Sequence, residues 1–204
     1  MFASRFAICC ALVLSPMLAT AQDTASDSIP FRRHQWAAQF AGGTTFASLG
    51  ALRFTAPDRA WLLDFRFTGG HAHDTRYAGD TLLGEGFSSN ASVDTRIGRR
   101  FYQGRGKSVV SFQTVGALGG YTHNCGGTTA PIAAGGCSNG WRAGVFGELG
   151  AAYLITRRFS IGGAATVAFT YQKTKTTGSS GLVGRDWAYQ GSVQGLSFSA
   201  TVYF

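Results

Sequence analysis

The 204-residue sequence predicts an all-β fold, an eight-stranded antiparallel up-and-down transmembrane β-barrel. Three observations carry that expectation. Segments of ~10 residues alternate apolar with small or polar side chains, the period of a strand with two different faces. Eight such segments can be counted, an even number that can close on itself, joined by connections of alternating length. Within them, ionisable residues share a face with glycine, serine and threonine, opposite the aromatic and aliphatic residues. Composition agrees: 29 glycines are about twice the usual ~7%, only 14% of residues are charged, and 13% are aromatic. Disorder is excluded by this content. Beyond residue 21 no run of eighteen or more predominantly apolar residues occurs, so no helix spans a membrane.

The N-terminus reads as an export signal over residues 1–21. Arg5 supplies the positive region, Phe6 to Leu14 the apolar core, and Ala19-Thr20-Ala21 a small-x-small cleavage site, so the mature chain is expected to start at Gln22. The apolar stretch ends at Pro16, too short to span, and Cys9 and Cys10 leave with it. Residues 22–33, with Asp23, Asp27 and Pro30, read as a leader without regular structure, and residues 34–204 as the barrel.

The expected strands are 34–42, 46–55, 60–70, 87–102, 108–122, 141–155, 159–172 and 187–204. The alternation is plainest in the seventh, where Phe159, Ile161, Ala165, Val167, Phe169 and Tyr171 oppose Ser160, Gly162, Thr166, Thr170 and Gln172. It recurs in the third, Trp61, Leu63, Phe65 and Phe67 against Asp64 and Arg66, and in the last, Leu196, Phe198, Ala200, Val202 and Phe204 against Ser197, Ser199, Thr201 and Tyr203. In the upper part of that last strand the apolar parity meets Gln190, Ser192 and Gln194. Either this part stands above a bilayer or a bulge at Gly195 resets the faces. Ala56 to Arg59, Gln103 to Lys107 and Thr156 to Arg158 read as short turns. His71 to Gly86, His123 to Gly140 and Lys173 to Asp186 read as long loops, with a tight exception at Gly43 to Thr45. Short turns at one rim and long loops at the other suit a bacterial outer-membrane barrel.

Charge placement decides between a soluble sheet and a membrane barrel, because the two turn opposite faces outward. Arg53, Asp64, Arg66, Asp94, Arg96, Arg142 and Glu148 read as lying on the small and polar face. In a narrow barrel these four cations and three carboxylates would meet in a confined interior, where pairing offsets much of their desolvation. Aromatic residues gather toward the strand ends, Phe54, Trp61, Phe101, Tyr153 and Phe159 at the short-turn rim, Phe40, Phe67, Phe87, Trp141, Tyr171 and Trp187 at the other. Two such belts are what bilayer interfaces favour, although any β protein carries sheet aromatics.

The formal charge is +8; removing Arg5 with the signal leaves 17 basic and 10 acidic residues, net +7. Arg32, Arg33, Arg59, Arg99, Arg100, Arg105, Lys107, Arg157 and Arg158 lie by the N-terminus or the short turns. They form a basic collar suited to inner-leaflet phosphates, or ordinary solvated turn charge. No recognition motif accompanies the charge, so nucleic acid is not an expected partner. Cys125 and Cys137 remain in a chain that has crossed into an oxidising space, and a disulfide between them is expected. His123 nearby does not complete a zinc set, and neither a metal nor another cofactor is expected.

With these features in hand, the chain resembles the small eight-stranded outer-membrane barrels, the group that includes the OmpA transmembrane domain, OmpX and OmpW. The likeness rests on the cleavable signal, the eight dyad-repeat segments and the ending Leu196-Ser197-Phe198-Ser199-Ala200-Thr201-Val202-Tyr203-Phe204. That ending, with Phe198, Val202 and Phe204 at alternate positions, is similar to the signal read by the barrel-assembly machinery. The resemblance implies short turns and both termini in the periplasm, and a monomer surrounded by outer-membrane lipids and lipopolysaccharide.

An eight-stranded interior is filled by side chains, which excludes a general porin. The remaining expectation is a structural barrel, with surface interaction through its outer loops. His71-Ala72-His73-Asp74-Thr75-Arg76-Tyr77 would suit lipopolysaccharide phosphate or a surface partner, but is equally what a solvated loop looks like. Two alternatives differ in class. A secreted, lipocalin-like carrier of a small hydrophobic ligand would turn the aromatic face inward. A lipid-modifying outer-membrane enzyme would need a histidine beside a strand-borne serine and a carboxylate, and His71, His73 and His123 all read as loop residues, so no enzyme is expected.

Overall fold

The computed structural model describes residues 30–78, 81–104, 108–128, 135–178 and 181–204; the expected signal, the leader up to residue 29, Arg105 and Lys107 lie outside the described residues. Eight strands follow in chain order: β1 (Trp36–Gly42), β2 (Ala47–Ala56), β3 (Arg59–Ala78), β4 (Thr81–Gln103), β5 (Val109–Thr128), β6 (Gly135–Thr156), β7 (Phe159–Gly178) and β8 (Val183–Tyr203). Each is antiparallel to the next, and β8 returns to β1 through Ala37↔Tyr203 to Gly42↔Phe198, closing the barrel.

The two faces diverge as the dyad pattern requires. Leu49, Leu63, Phe65, Val93, Ile97, Val145, Leu149, Val167 and Phe169 point outward and are 41–61% exposed, whereas Asp64, Arg66, Asp94, Arg96 and Glu148 point inward and are 3–6% exposed. A soluble sheet protein would show the reverse. Interior glycines are part of the same logic. A Cβ on Gly98 would stand 2.8 Å from the Val115 carbonyl oxygen and 3.1 Å from Phe146 Cζ, so the bare backbone there is the bed on which the Phe146 ring lies.

The described residues of the expected long loops are mostly strand instead. β3 and β4 stay paired to Ala78↔Thr81, β5 and β6 to Gly127↔Gly135, and β7 and β8 to Thr177↔Val183. Their polar residues satisfy backbone groups by continuing the ladder beyond the apolar band, where side-chain hydrophobicity no longer marks a strand. The first hairpin is different: it ends at Gly42↔Ala47. Among the described pairings, β3 beyond Phe67 and β8 before Phe198 therefore have a partner on one side only. Three tall hairpins and one short one give the barrel an uneven outer rim.

Of the two readings of the last strand, the bulge is what forms. Ala164 pairs with Ser197 but Thr166 with Gln194, so three steps on β8 match two on β7. Val193 and Leu196, three residues apart, both face outward at 82% and 69% exposure. The reset turns Gln190 and Ser192 toward the interior, where they line a cavity with Arg96 and Thr170.

Candidate functional site

The interior is built in layers, and the lowest is aromatic. Phe54 from β2, Tyr102 from β4, Phe112 from β5 and Tyr203 from β8 point inward and are at most 4% exposed. Phe31, ahead of β1, inserts among them, its ring centroid 4.6 Å from Phe54, 4.8 Å from Tyr102 and 5.0 Å from Tyr203. A turn aims it there: Gln35 N–H donates to the Arg32 carbonyl, Arg32 N–H to Gln35 Oε1 at 2.9 Å, and His34 N–H to the Phe54 carbonyl. His34 takes φ 67°, a left-handed conformation tolerated by His better than by most side chains. The Tyr203 hydroxyl shares a 2.9 Å hydrogen bond with Ser160. Part of the expected irregular leader is thus a plug, and Phe54, expected in an outer belt, belongs to it.

Above the plug lies an ionic layer centred on Glu148. Arg100 Nη2 donates to Glu148 Oε1 at 2.6 Å, while its Nε and Nη1 donate to Thr114 at 2.9 Å and to Gln39 across the barrel at 3.0 Å. Arg96 bridges Glu148 at 3.4 Å and Asp64 at 2.5 Å. Both guanidinium groups lie over rings, Arg96 over Phe146 at 5.0 Å and Arg100 over Phe112 at 4.2 Å. Higher still, Arg142 pairs bidentately with Asp94, and Arg66 stacks on Phe46 at 3.9 Å. A cavity of about 160 Å³ remains between these groups.

The structure thus brings Asp64, Arg66, Asp94, Arg96, Arg142 and Glu148 into one interior, but not Arg53. That residue points outward, exposed, 5.5 Å from the Trp36 ring. The physical reason is that the interior is apolar at this end, so Leu52 and Phe54 take the inner face and charge goes outside. Arg53 instead joins a register row, Trp36↔Arg53↔Trp61↔Arg99, in which cations and indoles alternate around the rim. Arg99 lies 5.5 Å from the Trp61 ring. Arg100, expected in the basic collar, is the interior residue sequence reasoning missed. The series Asp94, Arg96, Gly98, Arg100, two residues apart on one strand, was the signal that could have found it.

On the outer face of the upper β5–β6 hairpin, Cys125 and Cys137 sit directly opposite each other and form a disulfide, Cα–Cα 4.1 Å. His123 lies 3.2 Å from Cys125 Sγ and hydrogen bonds with Asn139. The bonded sulfurs are not thiolates, so this group does not offer a zinc set. Replacing both cysteines by serine is expected to speed amide exchange at residues 123–128 and 135–139 while leaving exchange in the barrel below Tyr121 unchanged. Equal acceleration throughout would show that the crosslink stabilises the whole barrel.

His71 and His73 are strand residues, not loop residues. His71 pairs across the ladder with Ser89, and His73 Nε2 lies 3.6 Å from Glu85. Ser89 is thus the register partner of one histidine, whereas the Glu85 carboxylate lies beside the other. Phe198 and Phe204 of the expected assembly signal face outward at 72% and 76% exposure, with Val202 between them on the same face.

No family model matches the chain, and no curated protein matches it. Among solved structures, a major outer membrane protein from Thermus thermophilus is 16% identical, with 83% of this chain and 98% of that one covered, at a TM-score of 0.52. Acinetobacter baumannii CarO is 11% identical, with 84% and 98% covered, at 0.45. Ail, the attachment invasion locus protein of Yersinia pestis, is 13% identical, with 83% and 94% covered, at 0.35. The Thermus likeness shows the fold: an antiparallel barrel of the kind found in bacterial outer membranes.

Proposed function

We propose that this chain is an integral outer-membrane β-barrel of the small, closed type, a structural protein of the membrane whose tall hairpins serve surface interaction. One observation carries the reading: a continuous outward wall of exposed leucine, valine, isoleucine and phenylalanine around an ionic interior. Such a wall is stable only in lipid, and pairing of β8 with β1 up to Gly42↔Phe198 closes the sheet on itself. The lipocalin-like carrier needs the opposite arrangement, with aromatic residues lining a cavity. Here the inner face holds a salt-bridged plug, and the lower opening is filled by Phe31.

The same plug makes the barrel a non-conductor and leaves the tall hairpins as its means of contact. With the short turns and Phe204 on the periplasmic side, the Trp36, Arg53, Trp61 and Arg99 row meets the inner leaflet, and β8 presents its apolar edge to the assembly machinery. In this reading the role is non-catalytic: His73 pairs with Glu85, apart from Ser89, the register partner of His71. Refolded into phosphatidylcholine vesicles, the mature chain is expected to migrate faster on gels unheated than heated and to give no single-channel conductance. Recovery as a folded monomer in the aqueous phase of a detergent partition would overturn the membrane reading, and steady conductance would overturn the closed interior.

A further inference from the structure

The outer wall of β5 to β8 is arranged in horizontal rows that the register fixes. One row reads Tyr121↔Trp141↔Lys173↔Trp187, and the next one up reads His123↔Asn139↔Lys175↔Arg185. All three cations are exposed and point outward with Trp141. Together with Asn139 and Thr174 they line a shallow pocket of about 250 Å³. Lys175 and Arg185 are direct cross-strand partners, and like charges so placed repel. Among the described residues no carboxylate forms an ion pair with Lys173, Lys175 or Arg185. The carboxylate beside Arg185, Asp186, is set one step off in the strand alternation and so takes the opposite face. A positive cluster kept free of acid is a site awaiting an external anion.

What lies beneath the cluster says which anion. Trp141, Tyr171, Tyr189 and Trp187 form a continuous ring contact, with centroids 5.5, 5.4 and 5.9 Å apart along the series. Below it Val145, Val167 and Phe169 continue as bare apolar wall. Indoles and phenols of this kind settle at headgroup level, with cations just beyond them in reach of phosphate. The β3–β4 wall at comparable distance from its turn carries instead the paired His73 and Glu85.

We propose that Lys173, Lys175 and Arg185 form a binding site for the phosphomonoester headgroup of an outer-leaflet lipid, whose acyl chains lie on the Val145, Val167 and Phe169 wall below the aromatic ring series. This rests on the membrane reading above. A phosphomonoester carries up to two negative charges and three acceptor oxygens, which three convergent cations match.

The test uses the full mature chain refolded into phosphatidylcholine vesicles containing a minor fraction of a bisphosphorylated, acylated diglucosamine. Quenching of tryptophan fluorescence by brominated acyl chains on each lipid in turn gives their relative association. The wild type is expected to prefer the phosphorylated lipid over phosphatidylcholine by ~10-fold. The combined variant Lys173→Gln, Lys175→Gln and Arg185→Gln is expected to lose that preference, while Arg157→Gln with Arg158→Gln at the opposite rim keeps it. Undiminished preference in the first variant, equal preference for the dephosphorylated lipid, or full displacement by inorganic phosphate would each overturn the lipid site. Quenching by brominated phosphatidylcholine reports insertion separately, so its loss would condemn the membrane reading and not only the site.

Discussion

Glu148→Gln is expected to lower the urea midpoint of the barrel in lipid bilayers by an amount corresponding to about 3–5 kcal/mol, the range for breaking a buried ion pair by removing one partner. Glu148 is 5% exposed and accepts from Arg100 and Arg96. The amide keeps the shape of the side chain but removes the only carboxylate among the described residues that Arg100 touches, leaving a 3% exposed guanidinium with neutral Thr114 and Gln39. Arg96 retains Asp64 and suffers less. The contrast is Arg53→Gln, which removes an exposed cation from a rim and is expected to cost at most about 1 kcal/mol. Equal midpoints for Glu148→Gln and wild type would show that the ionic layer does not hold the strands together.

Phe31→Ala is the second large effect. The ring contacts three others within 5.0 Å and is 4% exposed, so its removal is expected to cost about 3–5 kcal/mol if the site cannot collapse. The loss should appear as a lower urea midpoint together with faster amide exchange at the lower ends of β1 and β8, whose closure the plug caps. Unchanged values for both would mean that residues ahead of β1 contribute nothing to the barrel. Because Phe31 bridges β2, β4 and β8, its contribution exists only once the first and last strands have met.

Much of the fold was legible because the dyad period is a direct image of lipid on one side and a polar core on the other. Asp64, Arg66 and Glu148 stood out for that reason. The rule failed where its premise failed. At the lower end the interior is aromatic, so alternation alone reads Phe54 as lipid-facing and Arg53 as interior. Beyond the apolar band the outer face meets water, so His71 and His73 looked like loop although the backbone ladder runs on past them. Arg100 was hidden by proximity to a turn, since a charge there reads as solvated unless its parity is followed down the strand. The Lys173, Lys175 and Arg185 cluster was invisible because it depends on the pairing register of β7 with β8, which a bulge displaces by one residue.

The stunted first hairpin has a mechanical corollary for a barrel in a bilayer. Backbone amides and carbonyls on the flank of β3 past Phe67, and on that of β8 ahead of Phe198, require water or another hydrogen-bonding neighbour, which hydrocarbon does not supply. The oily layer must therefore dip toward Gly42 and Ala47 on that side and climb toward Tyr121 and Trp141 on the other. The chain would wear its bilayer like a slanted waterline, and the neighbouring lipids would be forced into a local slope that a barrel of even height never imposes.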